Sequence, residues 1–542
     1  MTEPQQAVVS VPVPVPAALV PRRAGRREWL GLGVLALACV VYVMDLTVLH
    51  LAVPAISRAL RPTSVELLWI IDVYGFMVAG FLITMGTLGD RIGRRRLLFI
   101  GAGAFGIVSL LAAFSTTPQM LIASRALLGI AGATIAPSTL SLIFAMFNDP
   151  KQRTTAIAVW VSAFSAGSAI GPLLGGLLLE HFAWGSVFLL ALPVMVLLLI
   201  LGPRLLPEYR DPDAGRLDLV SVGLLLVAVL AIVFGLKQVA QDGVGAVPLL
   251  AMAVGVGFLA MWVRRQLTTS DPMVDVRLIR IPRFSASLVV NFLAVFVLVG
   301  YFLFVAQFMQ LVLGLSPLQA GLWSLPEAVG FIVSSNLTAR IVRRVRPAYV
   351  MAGGLGLGAI GLGMLAQIGT SNSLAVLVVA SVLISLGLAP VFSVTTELIV
   401  SAAPPQRAGA ASGMSETFFE LGGALGLSIL GSIGLAIYRG GIADRLPASI
   451  PADATAAARD TLGAAVSAAG QLPGDAGATL LAVARQSFVD GMHVAAAIGA
   501  VLAVALAGIV LATLRDVQPS GEAEAGGPVA EDAVTQATFY CG

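Results

Sequence analysis

The sequence predicts an all-α membrane protein that crosses the bilayer fourteen times. The first supporting observation is composition, because 58% of the 542 residues are apolar and only 11% are charged, whereas soluble domains carry about 25% charged residues. The second is a series of apolar segments of about 20 residues, each long enough to span a hydrocarbon core of about 30 Å. The third is the concentration of basic residues in every second connection between those segments.

The chain begins with a segment, 1–28, that is rich in Pro and Val and then basic, which predicts a disordered tail. A cleaved secretory signal is the competing interpretation, but the apolar run after Trp29 is too long and no small-residue cleavage site follows it. The last residues, 516–542, predict a second disordered tail. We place the transmembrane spans, numbered 1 to 14, at 30–55, 66–88, 97–115, 119–146, 154–179, 184–205, 217–238, 246–264, 284–312, 318–340, 348–368, 373–399, 408–436 and 488–514.

The basic residues predict the orientation of the chain. Short basic connections stay on the cytoplasmic side of a membrane. The tails and the even-numbered connections hold 24 of the 32 basic residues, whereas the short odd-numbered connections hold only Arg58, Arg61 and Lys237. We therefore expect a multi-pass protein of the plasma membrane with both termini in the cytoplasm. Enrichment in Ala, Gly and Arg is typical of bacterial coding, so we expect the bacterial cytoplasmic membrane.

Several chemistries are excluded by residue usage. Lys151 and Lys237 are the only lysines and both precede glutamine, so the chain has no phosphate-binding loop of the Gly-Lys-Ser/Thr type. Transport, if that is the function, would then run on an ion gradient. Cys39 and Cys541 give no disulfide framework, and the three histidines lack metal-ligand spacing. We expect no metal, no cofactor, no nucleic-acid partner and a monomer.

Two short internal sequence repeats predict that the chain consists of two related halves. Residues 337–344 repeat the Leu/Arg spacing of 88–95, without its acid and its glycine, and the glycine pair of 167–171 recurs in 422–426. Repeated halves are typical of transporters whose binding site lies where the halves meet. The predicted units are a first six-helix bundle, 29–205, two inserted spans with their loops, 206–283, and a second six-helix bundle, 284–515.

Residues 439–486, between spans 13 and 14, have a soluble composition and lie on the predicted outer side. Pro451 and Asp453 predict the start of a helix that continues to Ala469, and Asp475 predicts the start of another that leads into span 14. An outer helical hairpin is one interpretation of this segment. A loop rich in Ala is the alternative.

The connection between spans 2 and 3 reads Gly86-Thr-Leu-Gly-Asp-Arg-Ile-Gly-Arg-Arg-Arg96. It places four arginines in a hairpin between two membrane helices, which predicts a cytoplasmic location. We expect its acid to pair with the arginines and to hold one conformation of the protein. The residues concerned are Gly86, Gly89, Asp90, Arg91, Gly93, Arg94 and Arg95.

Asp45 and Arg125 are the first candidate functional pair, because charged groups inside a membrane are costly. Asp45 lies about 15 residues into span 1, hence roughly 22 Å from the cytoplasmic face, and Arg125 lies roughly 9 Å below the outer end of span 4. In a core of about 30 Å these depths are similar, so an ion pair is allowed. It is either structural, or Asp45 alternates among a proton, Arg125 and a cationic substrate.

Glu416 and Glu420 in span 13 are four residues apart and share one face of a helix. Two neighbouring carboxylates in a low dielectric resist being ionised together, which suits a proton carrier. A lipophilic cation could replace the proton without leaving a charge unpaired. The alternative is that one carboxylate caps a kinked or water-lined helix.

Other acids and aromatic residues are secondary candidates. Asp72 lies near the outer mouth of span 2, as a vestibule acid or as an interface residue, and Glu327 lies in span 10. Glu397, near the inner end of span 12, is a vestibule or an interfacial acid. Aromatic faces in span 9, including Tyr301 and Phe304, could receive flat cations, although ordinary packing is the alternative for them.

Span 5 carries four glycines and a proline that give a smooth, bendable helix face and allow close helix approach. Several runs, this one included, resemble one family. Residues 86–96 match the loop motif of the major facilitator superfamily at every named position, and 167–176 match its antiporter signature without departure. The signature residues are Gly167, Gly171, Pro172, Gly175 and Gly176.

Over nearly its whole length the chain resembles the fourteen-helix drug:proton antiporters of that superfamily, in their QacA-like and LfrA-like branch. The resemblance implies a major facilitator fold and export of lipophilic cations, dyes, antiseptics or antibiotics in exchange for protons. Members of this branch can carry an acid in span 10, where we align Phe331, and the nearby acid here is Glu327. The further supporting runs are 44–48, 68–74, 125–139 and 415–422.

Two other functions stay open from the sequence. One is a dedicated exporter of a single endogenous metabolite or self-made antibiotic. The other is a membrane sensor or scaffold that transports nothing, which the intact antiporter signature and the buried acids argue against.

Overall fold

The computed structural model describes residues 23–208, 210, 218–269, 272, 276–370, 373–402, 408–473 and 475–519. Every regular element within these residues is a helix. Most of the predicted tails, together with Cys541, lies outside the described residues, and the first helix begins at Arg26, inside the predicted N-terminal tail.

The first half of the chain folds into eight helical segments within the described residues. They are α1 Arg26–Leu60, α2 Ser64–Ile92, α3 Arg94–Ala113, α4 Pro118–Gly132, α5 Ile135–Met146, α6 Pro150–His181, α7 Ser186–Leu189 and α8 Ala191–Leu205. Local signals set several of these boundaries. Thr63 caps α2, because its side chain accepts from the backbone N–H of Glu66 while Glu66 accepts from the N–H of Thr63 at 2.8 Å.

The inserted spans form an antiparallel pair, α9 Leu219–Asp242 and α10 Ala246–Thr268. We call this pair the inserted hairpin. The second half follows as α11 Val276–Ile279, α12 Pro282–Gln307 with a π-helical end Phe308–Val312, α13 Pro317–Trp323, α14 Leu325–Ile341, α15 Pro347–Leu365, α16 Leu374–Ser401, α17 Ala408–Arg445, α18 Ala452–Asp460, α19 Leu462–Ala469 and α20 Asp475–Thr513.

Thirteen helical segments among the described residues are long and apolar enough to cross a membrane. The exception is the predicted span 318–340, which the structure divides into α13 and α14. Proline has no backbone N–H and crowds the preceding turn, so Pro326 favours the interruption that falls at Ser324. The remaining predicted spans each correspond to one of the thirteen.

The same helix pairing occurs in both halves. A Cβ atom added to Gly167 of α6 would stand 2.6 Å from the carbonyl oxygen of Val40 on α1, and one added to Gly422 of α17 would stand 2.6 Å from that of Phe292 on α12. Only glycine permits such close approach of two helices. The first and fifth spans of each half therefore pack together through equivalent glycines, as expected of a structural repeat.

The two halves touch at one end of the bundle. Helix α2 runs from the α18–α19 pair, where Ser64 donates to the carbonyl oxygen of Asp460, to the 86–96 loop. We call the end that carries the α18–α19 pair the hairpin end, which is distinct from the inserted hairpin, and we call the end that carries the 86–96 loop the loop end. At the hairpin end Gln310, in the π-helical end of α12, donates to the carbonyl oxygen of Leu51 on α1 at 3.0 Å. The described halves are thus closed together at the hairpin end.

The segment between α17 and α20 is helical but is not one continuous helix up to Ala469. The prediction is wrong at Thr461, whose backbone is extended and whose hydroxyl accepts from the N–H of Ala464 at 3.0 Å, which starts α19. Tyr438 of α17 donates to the carbonyl oxygen of Ala458 at 2.6 Å. The α18–α19 pair is therefore held against the transmembrane bundle.

Candidate functional site

Asp45 of α1 and Arg125 of α4 form a buried ion pair. The Arg125 side chain is wholly buried, that of Asp45 is 6% exposed, and Arg125 Nη1 donates to Asp45 Oδ2. Arg125 Nε also donates to the carbonyl oxygen of Ile70 at 3.2 Å, and its guanidinium lies 4.5 Å from the centre of the Tyr74 ring. These contacts reduce the burial cost of both charges, while Arg125 Nη2 has no hydrogen-bond partner among the described residues. The pair that the helix depths allowed is present.

Tyr42 connects this pair to the second half of the protein. It lies three residues before Asp45 on α1, so the two side chains share a face. Its hydroxyl donates to Glu420 Oε1 of α17 at 2.9 Å, in a buried position. The rings of Tyr42 and Tyr74 lie 6.3 Å apart. A side-chain hydrogen bond between α1 and α17 thus joins the two halves beside their acidic residues.

Glu416 and Glu420 lie one turn apart on α17. Glu420 is buried, with 9% of its surface exposed, and Glu416 is half-buried. Their spacing puts both carboxylates on one side of the helix. The hydrogen bond from Tyr42 to Glu420 therefore brings the paired acids against α1, the helix that carries Asp45.

Asp72 is a buried residue in an ion pair with Lys237, and not an acid in an open vestibule. Lys237 was counted as part of an outer connection, but it lies within α9, and both side chains are fully buried. Lys237 Nζ lies 2.8 and 3.0 Å from the two carboxylate oxygens of Asp72. Ser428 of α17 also donates to Asp72. The charge of Lys237 is thus neutralised inside the bundle, within α9.

The secondary candidates lie apart from this site in the second half. Glu327 is buried in the first turn of α14. Tyr301 and Phe304 of α12 line a small apolar cavity, and Phe304 packs against Phe488 with ring centres 5.9 Å apart. Glu397, near the end of α16, is exposed. A role of these two aromatic residues in cation binding stays a prediction.

The 86–96 loop is tied to its own half. Asp90 pairs with Arg94, whose Nε lies 2.7 Å from Asp90 Oδ1, and Arg94 also donates to the carbonyl oxygen of Pro137 on α5. Arg95 donates to the carbonyl oxygen of Leu206 at 3.0 Å, just after α8. Gly93 makes the turn with a φ of 110°, which suits glycine. Arg91 is exposed, and Gly86 and Gly89 belong to the end of α2.

The remaining glycines of α6 face two neighbours. Gly171 and Gly175 lie against α1, and a Cβ added to Gly175 would stand 2.6 Å from the side chain of Val48. A Cβ added to Gly176 would stand 2.6 Å from the carbonyl oxygen of Pro317 on α13. Pro172 presents its own carbonyl oxygen to Gly321 of α13. Helix α6 thus contacts α1 within its half and α13 across the interface.

Sequence reasoning missed three residues of this region. Tyr42 and Tyr74 are aromatic residues in apolar spans, where packing is the ordinary interpretation, although the position of Tyr42 one turn from Asp45 was a usable signal. Lys237 falls inside the predicted span 217–238 but was counted with the outer connection, although a lysine within a membrane span is itself a functional signal.

The fold and the site define a class of protein. Two helical halves with matching internal packing meet around carboxylates buried in the middle of a membrane-spanning bundle, which is the arrangement of a secondary transporter. The family model described as the Major Facilitator Superfamily matches residues 35–427. The chain belongs to the major facilitator superfamily and is a multi-pass membrane protein.

Named relatives cover most of the chain. The multidrug efflux pump LfrA of Mycolicibacterium smegmatis is 43% identical over 91% of this chain and 97% of its own length. The methyl viologen resistance protein SmvA of Salmonella typhimurium is 37% identical over 86% of this chain and 94% of its own. The tetracenomycin C resistance and export protein of Streptomyces glaucescens is 31% identical over 93% and 94%.

Solved structures agree on the fold. A bacterial homolog of the human lysosomal transporter Spinster superposes with a TM-score of 0.63 over 91% of this chain and 98% of that one, at 17% sequence identity. The human organic anion transporter MFSD10 gives a TM-score of 0.54 at 15% identity, over 90% of this chain and 99% of its own. At these identities the similarity establishes the architecture alone.

Proposed function

We propose that this protein is a proton-coupled multidrug efflux antiporter of the bacterial cytoplasmic membrane. It acts as a monomer surrounded by lipid, with both termini and the loop end in the cytoplasm. It expels lipophilic cations, dyes, antiseptics or antibiotics by alternating access. Relatives named for multidrug efflux and for methyl viologen resistance support this substrate class. The relative named for tetracenomycin C export shares less identity, so we favour broad export over export of one metabolite.

One observation carries the proposal, namely the meeting of acidic groups from both halves inside the bundle. Asp45 pairs with Arg125 in the first half, and Tyr42 on the same face of α1 donates to Glu420 in the second. Ionisable groups inside a membrane are costly, and in transporters they mark substrate and proton pathways. A rocking motion of the halves changes the surroundings of both carboxylates at once.

Asp45 has three exchangeable partners in this mechanism. Its partner in the structure is Arg125. A proton on Asp45 cancels the negative charge and releases Arg125, whereas a lipophilic cation supplies an alternative counter-ion. The single negative charge of Asp45 can be neutralised by a proton or by a cationic substrate, but not by both. The two therefore compete for the carboxylate, and this competition couples their opposite movements.

Glu416 and Glu420 provide the second exchange step. Two carboxylates one turn apart in a low dielectric resist carrying two negative charges, so the pair retains a proton until a cation arrives. The cation then takes over the neutralising role, and the proton leaves toward the side that is open. Tyr42 keeps Glu420 oriented toward α1 while this happens.

The test is Asp45→Asn in proteoliposomes that contain the full chain. With a pH gradient and ethidium as the lipophilic cation, we expect dye transport and the linked proton movement to fall at least about tenfold, equivalent to 1.4 kcal/mol of lost stabilisation. The amide keeps the shape of the side chain and removes its exchangeable proton.

Asp444→Asn is the matched control, since Asp444 is an exposed acid at the far end of α17. It should transport ethidium at the wild-type rate. Undiminished transport by the Asp45 variant would remove that residue from the mechanism. A wild-type protein that moves ethidium without moving protons would refute the proton coupling.

A further inference from the structure

Lys237 is a buried cation that the proposed mechanism does not use. It belongs to the inserted hairpin, whereas its partner Asp72 belongs to α2 of the first half. The ammonium nitrogen contacts both carboxylate oxygens, and neither side chain is exposed. A paired charge in such a place is tolerated, but loss of either partner leaves the other charge buried without compensation.

Two further groups complete the surroundings of this pair. The Lys237 ammonium lies 3.7 Å from the centre of the Trp69 ring, one turn before Asp72 on α2, so an aromatic face also stabilises the cation. Ser428 of α17 donates its hydroxyl proton to Asp72. We call Trp69, Asp72, Lys237 and Ser428 the Lys237 node.

The Lys237 node joins three parts of the molecule. Trp69 and Asp72 come from the first half, Lys237 from the inserted hairpin and Ser428 from the second half. An apolar cluster built on Phe76, Val233 and Ala424 lies beside it and draws on the same three parts. The node is therefore dry only while α2, α9 and α17 remain together.

Separation of the halves at the hairpin end would open this arrangement. If α17 moves away from α2, Asp72 loses the Ser428 hydrogen bond and the apolar cluster loses Ala424. Water then reaches the pair and weakens the attraction between its charges. The ion pair is thus most favourable in the state that the structure shows, with the hairpin end closed.

We propose that Lys237 is a positioning residue that acts through Asp72 to hold the hairpin end closed, so that the inserted hairpin is a working part of the conformational switch. Lys237 neutralises Asp72, and this allows α2 and α17 to pack without a buried unpaired charge between them. The inference presupposes rocking halves, as the proposed function does, but it requires neither a particular substrate nor proton coupling.

The test measures a distance across the hairpin end in the full chain, in lipid nanodiscs without substrate. Nitroxide labels are attached at Thr116→Cys and Gln367→Cys, exposed positions on different halves, with Cys39 and Cys541 replaced by alanine. In Lys237→Met the fraction of molecules with the longer distance should rise at least about threefold, because an uncompensated Asp72 disfavours the closed state. Lys237→Arg keeps the charge and should retain the wild-type distribution.

Three matched variants make the result specific. Arg264→Met removes one exposed positive charge from the same hairpin and should leave the distances unchanged. Asp72→Asn combined with Lys237→Met removes both charges and should restore the closed population. Ser428→Ala keeps both charges but removes the link to α17, and it should lengthen the distance in a smaller fraction of molecules, even if Lys237→Met does not fold.

An unchanged distance distribution in folded Lys237→Met, or in Ser428→Ala, would overturn the inference and leave Lys237 as a simple anchor of the hairpin. An equal shift in Arg264→Met would also overturn it, since any loss of positive charge would then suffice. Transport of ethidium is measured separately on the same preparations. Failure of the wild type to transport would refute the proposed function without altering the distance result.

Discussion

A single hydroxyl group links the acidic residues of the two halves. Tyr42 donates to Glu420 at 2.9 Å while sharing a helix face with Asp45. In a buried site a carboxylate that loses such a donor is left with an unpaired acceptor, which costs more than the bond contributes. Tyr42 therefore ties the orientation of Glu420 to the position of α1, and through α1 to the Asp45–Arg125 pair.

We predict that Tyr42→Phe reduces ethidium transport in proteoliposomes by about tenfold, because a hydrogen bond to a charged group contributes about 1.5–3 kcal/mol. The ring stays and only the donor is lost. The measurement is the initial transport rate at saturating pH gradient, compared with Tyr74→Phe. The Tyr74 hydroxyl has no hydrogen-bond partner among the described residues, so its removal should cost less. Equal losses in the two variants would count against the Tyr42–Glu420 link.

Contacts at both ends of α9 hold the inserted hairpin in place. At the loop end Asp218 caps α9 by accepting from the N–H of Ser221 at 3.0 Å, and Arg265 of α10 donates to Asp218 at 2.9 Å. Gln266 donates to the Ser221 hydroxyl at 2.8 Å. Lys237 fixes the far end of α9. The hairpin is thus attached as a folded element and does not depend on lipid contacts alone.

The Asp218 contacts predict a pH dependence of stability. Burial alone would raise the pKa of Asp218, but the hydrogen bonds from Arg265 and Ser221 outweigh burial and lower this pKa. A carboxyl whose folded-state pKa is depressed stabilises the protein above its unfolded value, about 3.9 for Asp, and this contribution is lost as the pH falls through the folded-state pKa.

The measurement is the thermal unfolding of detergent-solubilised wild type and Asp218→Asn at a series of pH values. We expect the wild type to be the more stable at pH about 6 and the difference to shrink as the pH falls below about 4. Identical unfolding of both proteins at the higher pH would contradict this prediction, as would a difference that persists at the lower pH.

The two halves of the molecule meet at the hairpin end through α1, α2, α6, α12, α13 and α17. The α18–α19 pair adds to this contact, since a Cβ added to Gly463 of α19 would stand 2.9 Å from Cβ of Ser57 on α1. Alternating access requires this end to open and close. A covalent bond across the contact should therefore arrest the cycle.

We predict that oxidised Ser57→Cys/Gly463→Cys, with Cys39 and Cys541 replaced by alanine, loses ethidium transport and regains it on reduction. The Cβ atoms need to separate only slightly to reach the spacing of about 3.8 Å typical of disulfides. The rate is measured before and after dithiothreitol, with each single-cysteine variant as control. Wild-type transport by fully cross-linked protein would show that this contact does not need to open.

The features that could be predicted from the sequence are those that depend on regular helix geometry, namely the depth of charged residues and the spacing of glycines. The rise per residue placed Asp45 and Arg125 at matching depth, and their ion pair is present. Glycine spacing predicted close helix approach at α6, and the structure identifies α1 as the helix that approaches. Lys237 was missed because it lies at the predicted end of its span, 217–238, where sequence-based boundaries are uncertain by about 2–4 residues, and its partner Asp72 is far away in the chain. The role of Tyr42 was missed because a tyrosine in an apolar span fits simple packing equally well.

The contact between α6 and α13 includes close approaches of main chain to main chain. Gly176 and Gly321 each lie against a carbonyl oxygen of the opposite helix, and the Leu318 N–H donates to Glu180 at the exposed rim. Because these glycines carry no side chain, the points of closest approach bury little apolar area, and we expect that parting them costs little at about 25 cal/mol per Å². Helices α6 and α13 can therefore shift along each other or separate at a low cost in free energy. A methyl group added at Gly176 or Gly321 would collide with a carbonyl oxygen of the opposite helix and would prevent this close approach.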